Sequence, residues 1–172
     1  MFHLSATSAL PPLGYLTRMD KLMIGTYVVY LVNILFSVAM VLLVVWWAWQ
    51  YTTWATNELD TDRMPVRFVL LVIMMACLLM AVAIPEAFGD KGLLFALSYV
   101  AIQIGRQAFL TFSAEPHTIA RARGLHILIW FCFAAPFWIV GALVDGDARI
   151  AFWLVALTID YCGPFVTYYV PW

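Results

Sequence analysis

The sequence predicts an all-α fold, a polytopic membrane helix bundle of about five transmembrane helices. Three observations carry that prediction. First, 65% of the 172 residues are hydrophobic and 11% are charged, whereas a soluble domain carries about 25% charged residues. Polar groups are too few to cover a water-facing surface, so lipid must cover much of it. Second, most charges gather in short segments that separate apolar runs of bilayer-crossing length, about 20 residues each. Third, two aromatic groups, Trp46 to Trp54 and Tyr168 to Trp172, stand near the ends of their runs, where Trp and Tyr meet the membrane–water boundary. The organisation expected is a tail, 1–21, and one bundle, 22–172, with spans at about 22–57, 66–88, 92–112, 116–144 and 149–169. The net charge of −1 and the absence of a basic stripe exclude nucleic acid as a partner.

Residues 1–15 do not read as a signal peptide, since the start is not basic and Pro11-Pro12 precedes any long apolar run. Leu22 to Asn57 holds no charged residue over 36 positions, or ~54 Å of helix against a hydrocarbon core of ~30 Å. No proline interrupts it, so one long helix is expected, tilted or bent. Near its end lies Trp46-Trp-Ala-Trp-Gln-Tyr-Thr-Thr-Trp54, with Trp46, Trp47, Trp49 and Trp54 as an interfacial belt. Because Trp46, Trp49, Gln50 and Thr53 recur at helical spacing, a cavity wall is the alternative reading.

Asp60, Thr61 and Asp62 form the first polar turn, and Pro65 suits the first turn of the second span. Met-rich Ile73–Met80 reads as adaptable packing. Pro85, beside Glu86, removes a helical hydrogen bond and frees the Ala81 carbonyl. Gly89-Asp-Lys-Gly92 is the return turn. In the third span Tyr99, Gln103, Arg106, Gln107 and Leu110 share one helix face, which cannot look at lipid. Ala101 and Gly105, four apart, would permit close helix contact. Glu115-Pro116 reads as the start of the fourth helix, Ala134-Ala-Pro136 as a kink, and Asp145-Gly-Asp147 as a tight turn. The fifth span carries Asp160, with Pro164 four residues on, and Tyr168, Tyr169 and Trp172 mark its far interface. Cys77, Cys132 and Cys162 read as small buried hydrophobes.

Arg106 lies ~21 Å along its helix from Gly92, and Asp160 ~17 Å along its own from Arg149. The third and fifth spans cross in the same direction, so an Arg106–Asp160 pair at matching depth is expected. Gln103 and Gln107 would take the remaining hydrogen bonds, with Glu86 a more distant candidate. The pair would either line a polar route or fasten two helices. No nucleotide loop, metal-ligand spacing or nucleophile–base motif is present, so the expectation is a non-enzyme with no cofactor and no metal. Arg121 and Arg123 make the densest basic loop, which places it and the C-terminus in the cytoplasm of a multi-pass cell-membrane protein.

Four segments, Trp46–Trp54, Asp60-Thr-Asp-Arg-Met-Pro65, Leu79-Met-Ala-Val-Ala-Ile-Pro-Glu-Ala-Phe88 and Tyr99-Val-Ala-Ile-Gln-Ile-Gly-Arg106, resemble the bacterial low temperature requirement A family in order and spacing. The resemblance covers about 35–164. It implies a multi-spanning membrane protein, tied by the family's name to growth in the cold. Members usually open with an acidic-aromatic helix of the Leu-Glu-Leu-Phe-Phe-Asp kind, where this chain has Arg18-Met-Asp-Lys-Leu-Met-Ile-Gly25. They also continue for several more helices. The chain resembles the front half with an altered start, so its expected partners are the lipid bilayer and either a second copy, as a homo-oligomer, or the missing C-terminal half.

Overall fold

A computed structural model describes residues 13–59 and 62–166. Asp60, Thr61, Tyr168, Tyr169 and Trp172, to which the sequence assigns turn and interface roles, lie outside the described residues. Five α-helices and no strand are present among the described residues: α1 (Leu13–Glu58), α2 (Met64–Ala83), α3 (Gly92–Ser113), α4 (Ile119–Leu143) and α5 (Asp147–Val166). Helices in α1 to α4 are long and apolar enough to cross a membrane. α5 is not among those four, and its Arg149 and Asp160 lower its hydropathy.

Two compact units divide the chain, residues 1–40 and 41–172. The described part of the first is helical, with Leu22, Tyr27, Tyr30, Leu31 and Leu35 all exposed. Its polar side chains bond back onto their own helix: Thr26 Oγ1 donates to the Leu22 carbonyl (3.0 Å) and Asn33 Nδ2 to the Val29 carbonyl (2.9 Å). From Leu22 on, a largely apolar exterior whose Thr26 and Asn33 side chains are satisfied within the helix suits lipid.

In the second unit α3 packs between α2 and α4, and α4 packs against α5. Residues 41–58 of α1 reach this core through large side chains. Trp47 stacks on Tyr161 at 4.1 Å, Tyr51 meets Phe131 edge-on at 5.1 Å, and Tyr161 Oη donates to the Leu43 carbonyl (2.9 Å). The buried stripe is Val44, Trp47, Ala48, Tyr51 and Ala55, at i, i+3, i+4, i+7 and i+11.

Several boundaries differ from the sequence reading for local reasons. α2 stops at Ala83, and a 3₁₀ turn, Ile84–Glu86, takes over. The Ile84 N–H donates to the carbonyls of both Ala81 and Met80, so the Ala81 carbonyl is not left free by Pro85. α4 begins at Ile119 and not near Pro116. His117 sits at φ 66°, which breaks the helix, and Thr118 caps the new start by accepting from the Arg121 N–H at 3.2 Å. Gly146, at φ 63°, makes the expected turn before α5. The expected contact through Ala101 and Gly105 is absent: both are exposed, and a Cβ on Gly105 would meet nothing within 4 Å. Close approach falls elsewhere. A Cβ on Gly141 of α4 would lie 2.5 Å from Trp153 Cδ1 of α5, and one on Gly124 of α4 would lie 2.6 Å from Thr111 Oγ1 of α3.

Candidate functional site

The inward face of α3 carries Tyr99, Gln103, Arg106 and Gln107, all buried. Three of them and Asp160 of α5 form one directional chain of hydrogen bonds. The Arg106 guanidinium donates through Nη1 to Thr52 Oγ1 (2.9 Å) and the Ala48 carbonyl (3.2 Å) of α1, and through Nη2 to Gln103 Oε1. Gln103 Nε2 donates to Tyr99 Oη at 3.0 Å. Tyr99 Oη in turn donates to Asp160 Oδ2 at 2.9 Å, and Trp138 Nε1 of α4 donates to the same oxygen at 3.0 Å. The network fixes the amide: its oxygen faces the cation and its NH₂ faces the phenol. A buried cation thus stands at one end and a buried carboxylate at the other, with two neutral groups polarised between them.

Arg106 and Asp160 are therefore brought together, but not into contact. The ion pairs among the described residues are Arg67–Asp62, Lys91–Glu86 and Arg149–Asp145. Asp160 does not reach the level of Arg106: it bonds to Tyr99, seven residues or ~10 Å before Arg106 on α3. Counting rise from each loop takes the helices as parallel and ignores side-chain reach, whereas Phe95 meets Trp153 and Tyr99 meets Asp160, four residues of α3 against seven of α5. Two polar atoms of this row, Arg106 Nε and Asp160 Oδ1, are buried without a partner among the described residues, as is Trp47 Nε1 outside it. Such atoms are uncommon in folded proteins and call for a reason.

The other predicted residues separate. Gln107 turns from the chain and donates through Nε2 to the Gly124 carbonyl of α4 at 3.3 Å. Glu86 is at the opposite end of the bundle, paired with Lys91 at 3.1 Å and half exposed. Trp46 and Trp49 face outward, their rings 5.3 Å apart, so that side of α1 is not a cavity wall. Trp47 packs inward, and Trp54 lines a cavity of about 110 Å³ with Tyr51, Glu58, Gln107, Thr111 and Arg123. This cavity lies at the end of the bundle where α1 and α3 finish and α4 begins. Tyr51 joins it to the chain, since the Arg106 guanidinium carbon sits 5.4 Å from the Tyr51 ring centroid.

Sequence reasoning missed Thr52, Trp138 and Arg149. The first two are neutral, and no pattern distinguishes them from packing residues. Arg149 is buried and ties two turns together. Its Nη1 donates to the Gly89 carbonyl (2.6 Å), Nε to the Val144 carbonyl (3.0 Å) and Nη2 to Asp145 Oδ1 (2.8 Å). Among the described residues, no three His, Cys, Asp or Glu side chains converge as a metal would need.

A family model, the bacterial low temperature requirement A protein, matches residues 28–172. The chain is also similar to an uncharacterized protein of Rhizobium meliloti (strain 1021), RA0937, with 40% identity over 129 residues. That match takes in 73% of this chain and 31% of the relative, so the chain spans about a third of the relative's length. No solved structure matches it. The match over most of the chain, together with helices of membrane-crossing length, makes this an integral membrane protein that belongs to the bacterial low temperature requirement A family.

Proposed function

We propose that the chain is part of a transport protein of the cell membrane, in which a small solute or ion passes along α3 by the residues from Arg106 to Asp160. One observation carries this reading. A cavity with both polar and apolar walls runs from the bundle's end to Tyr51 and Gln107, and Tyr51 lies directly against the guanidinium that begins the buried chain. One aromatic ring separates an accessible space from intramembrane charge, and such charge leans towards function. The unpartnered Arg106 Nε and Asp160 Oδ1 add contacts that a passing solute would use. The protein is not an enzyme in this reading and needs no cofactor. Its mouth faces the cytoplasm, beside Arg121 and Arg123, and a second copy or a C-terminal half supplies the remaining helices. The family's tie to growth in the cold then follows from what is transported.

A second reading has its own support. Tyr99, Gln103, Arg106 and Asp160 are each no more than 2% exposed and link α1, α3, α4 and α5, as fasteners in a non-catalytic scaffold or partner subunit would. Proteoliposomes decide between the two. The native chain is expected to give flux for at least one member of a broad panel of small solutes and ions. The double variant Arg106→Leu with Asp160→Leu is expected to lose that flux while inserting and eluting as the native chain does. Absence of native flux across the panel, or equal flux in the double variant, favours the scaffold.

A further inference from the structure

We propose that the cavity between the ends of α1, α3 and α4 binds a small zwitterion of the α-amino-acid type. Its walls bring a carboxylate, Glu58 of α1, and a guanidinium, Arg123 of α4, to one space of about 110 Å³. Among the described residues neither makes an ion pair or a side-chain hydrogen bond, with the other or with anything else. Glu58 is exposed and Arg123 half-buried, so water matches both charges in the open cavity, and a ligand that replaces that water must match both in turn. A molecule with one positive and one negative end satisfies both, whereas a simple anion or cation meets one matching and one opposing wall. A guanidinium takes a carboxylate through paired N–H donors, which suits Arg123 to the ligand's acid end. Tyr51 and Trp54, ring centroids 5.2 Å apart, give the Glu58 side an aromatic surface suited to an ammonium group. Gln107 and Thr111, both buried, supply a polar floor.

Size limits the ligand. At about 30 Å³ for each water, the space of about 110 Å³ holds roughly four waters or one ligand of about that bulk. Glycine, alanine and serine fall within it, and peptides do not. The inference rests on the transport reading only for the cavity's role as the mouth of a route, and its ligand chemistry stands on the cavity alone.

The test is binding to the purified chain in lipid nanodiscs by titration calorimetry. The probes are glycine, L-alanine and L-serine, with N-acetyl-L-alanine and L-alanine methyl ester as single-charge counterparts. At least one free amino acid is expected to bind, and its single-charge counterparts to bind about tenfold or more weakly, as loss of one charge contact implies. Glu58→Gln and Arg123→Gln should each weaken the free amino acid by a similar factor. Glu58→Gln should tighten binding of the N-acetyl probe, since it removes the opposing charge, and this separates loss of a contact from loss of fold. No binding of any free amino acid, equal binding of the blocked forms, or native affinity in both variants overturns the site. Binding that persists without flux counts against the route and leaves the site standing.

Discussion

At the scale of single residues, Tyr99 is the joint on which the buried chain turns. It accepts from Gln103 and donates to Asp160, so its hydroxyl serves two partners at once. Tyr99→Phe keeps the ring against Trp138, 4.8 Å between centroids, and removes only the oxygen. Gln103 Nε2 then lacks its acceptor, and Asp160 Oδ2 keeps Trp138 alone. The expected cost is about 1–3 kcal/mol, the penalty for leaving a buried polar group unmatched. Unfolding in detergent, compared with the native chain, measures it; an unchanged midpoint would mean that the chain carries no stability. Much of this arrangement was legible beforehand. The spacing of Tyr99, Gln103, Arg106 and Gln107 puts them on one face, and composition forbids that face to lipid. What the spacing does not carry is the partner across the gap. Thr52 and Trp138 bear no charge to draw attention, and the register in which α5 meets α3 leaves no mark on either sequence.

Individual helices are held by small residues that are not the ones the pattern suggested. Ala101 and Gly105 have the right separation but face outward. Gly141 has no such partner in sequence, yet α5 lays Trp153 across it. The Trp153 indole also donates to the Trp138 carbonyl at 3.1 Å, which leaves the ring little room to move aside. Gly141→Ala should therefore destabilise the α4–α5 pair by about 1–3 kcal/mol, as overpacking does. Gly105→Ala, with open space around the new methyl, should be neutral or slightly stabilising, since alanine is the better helix former. Thermal midpoints of the two variants test the contrast, and equal midpoints would refute it. The start of α4 was misread for a related reason. Proline is a sound helix opener, but His117 in the left-handed region cancels it, and a backbone angle of that kind is not written in residue type.

For the molecule as a whole, the alternation of helices and turns fixes which turns share a side. The turns at 87–91 and 144–146 are tied by the Arg149 side chain, so they lie at one end. The turns before α2 and before α4 lie at the other. Cysteines introduced at Asp90 and Gly146 in a chain freed of its own three should label together with a membrane-impermeant thiol reagent. Cysteines at Asp62 and His117 should label together from the opposite side. Mixed labelling within either pair would overturn the alternation. This level was the most legible, because membrane-crossing length and charge segregation are properties of long stretches and survive local errors of a few residues. α5 shows the limit: Arg149 and Asp160 reduce its apolar character.

The orientation of the Gln103 amide has one more consequence. A hydroxyl can receive a proton on one side and release another on its far side, but a carboxamide cannot do so without first becoming its imidic acid tautomer. Arginine, for its part, does not give up its proton under physiological conditions. A row of acid, phenol, amide and guanidinium therefore transmits polarisation and stops hydrogen ions. That row of groups by itself offers hydrogen ions no relay from one end to the other.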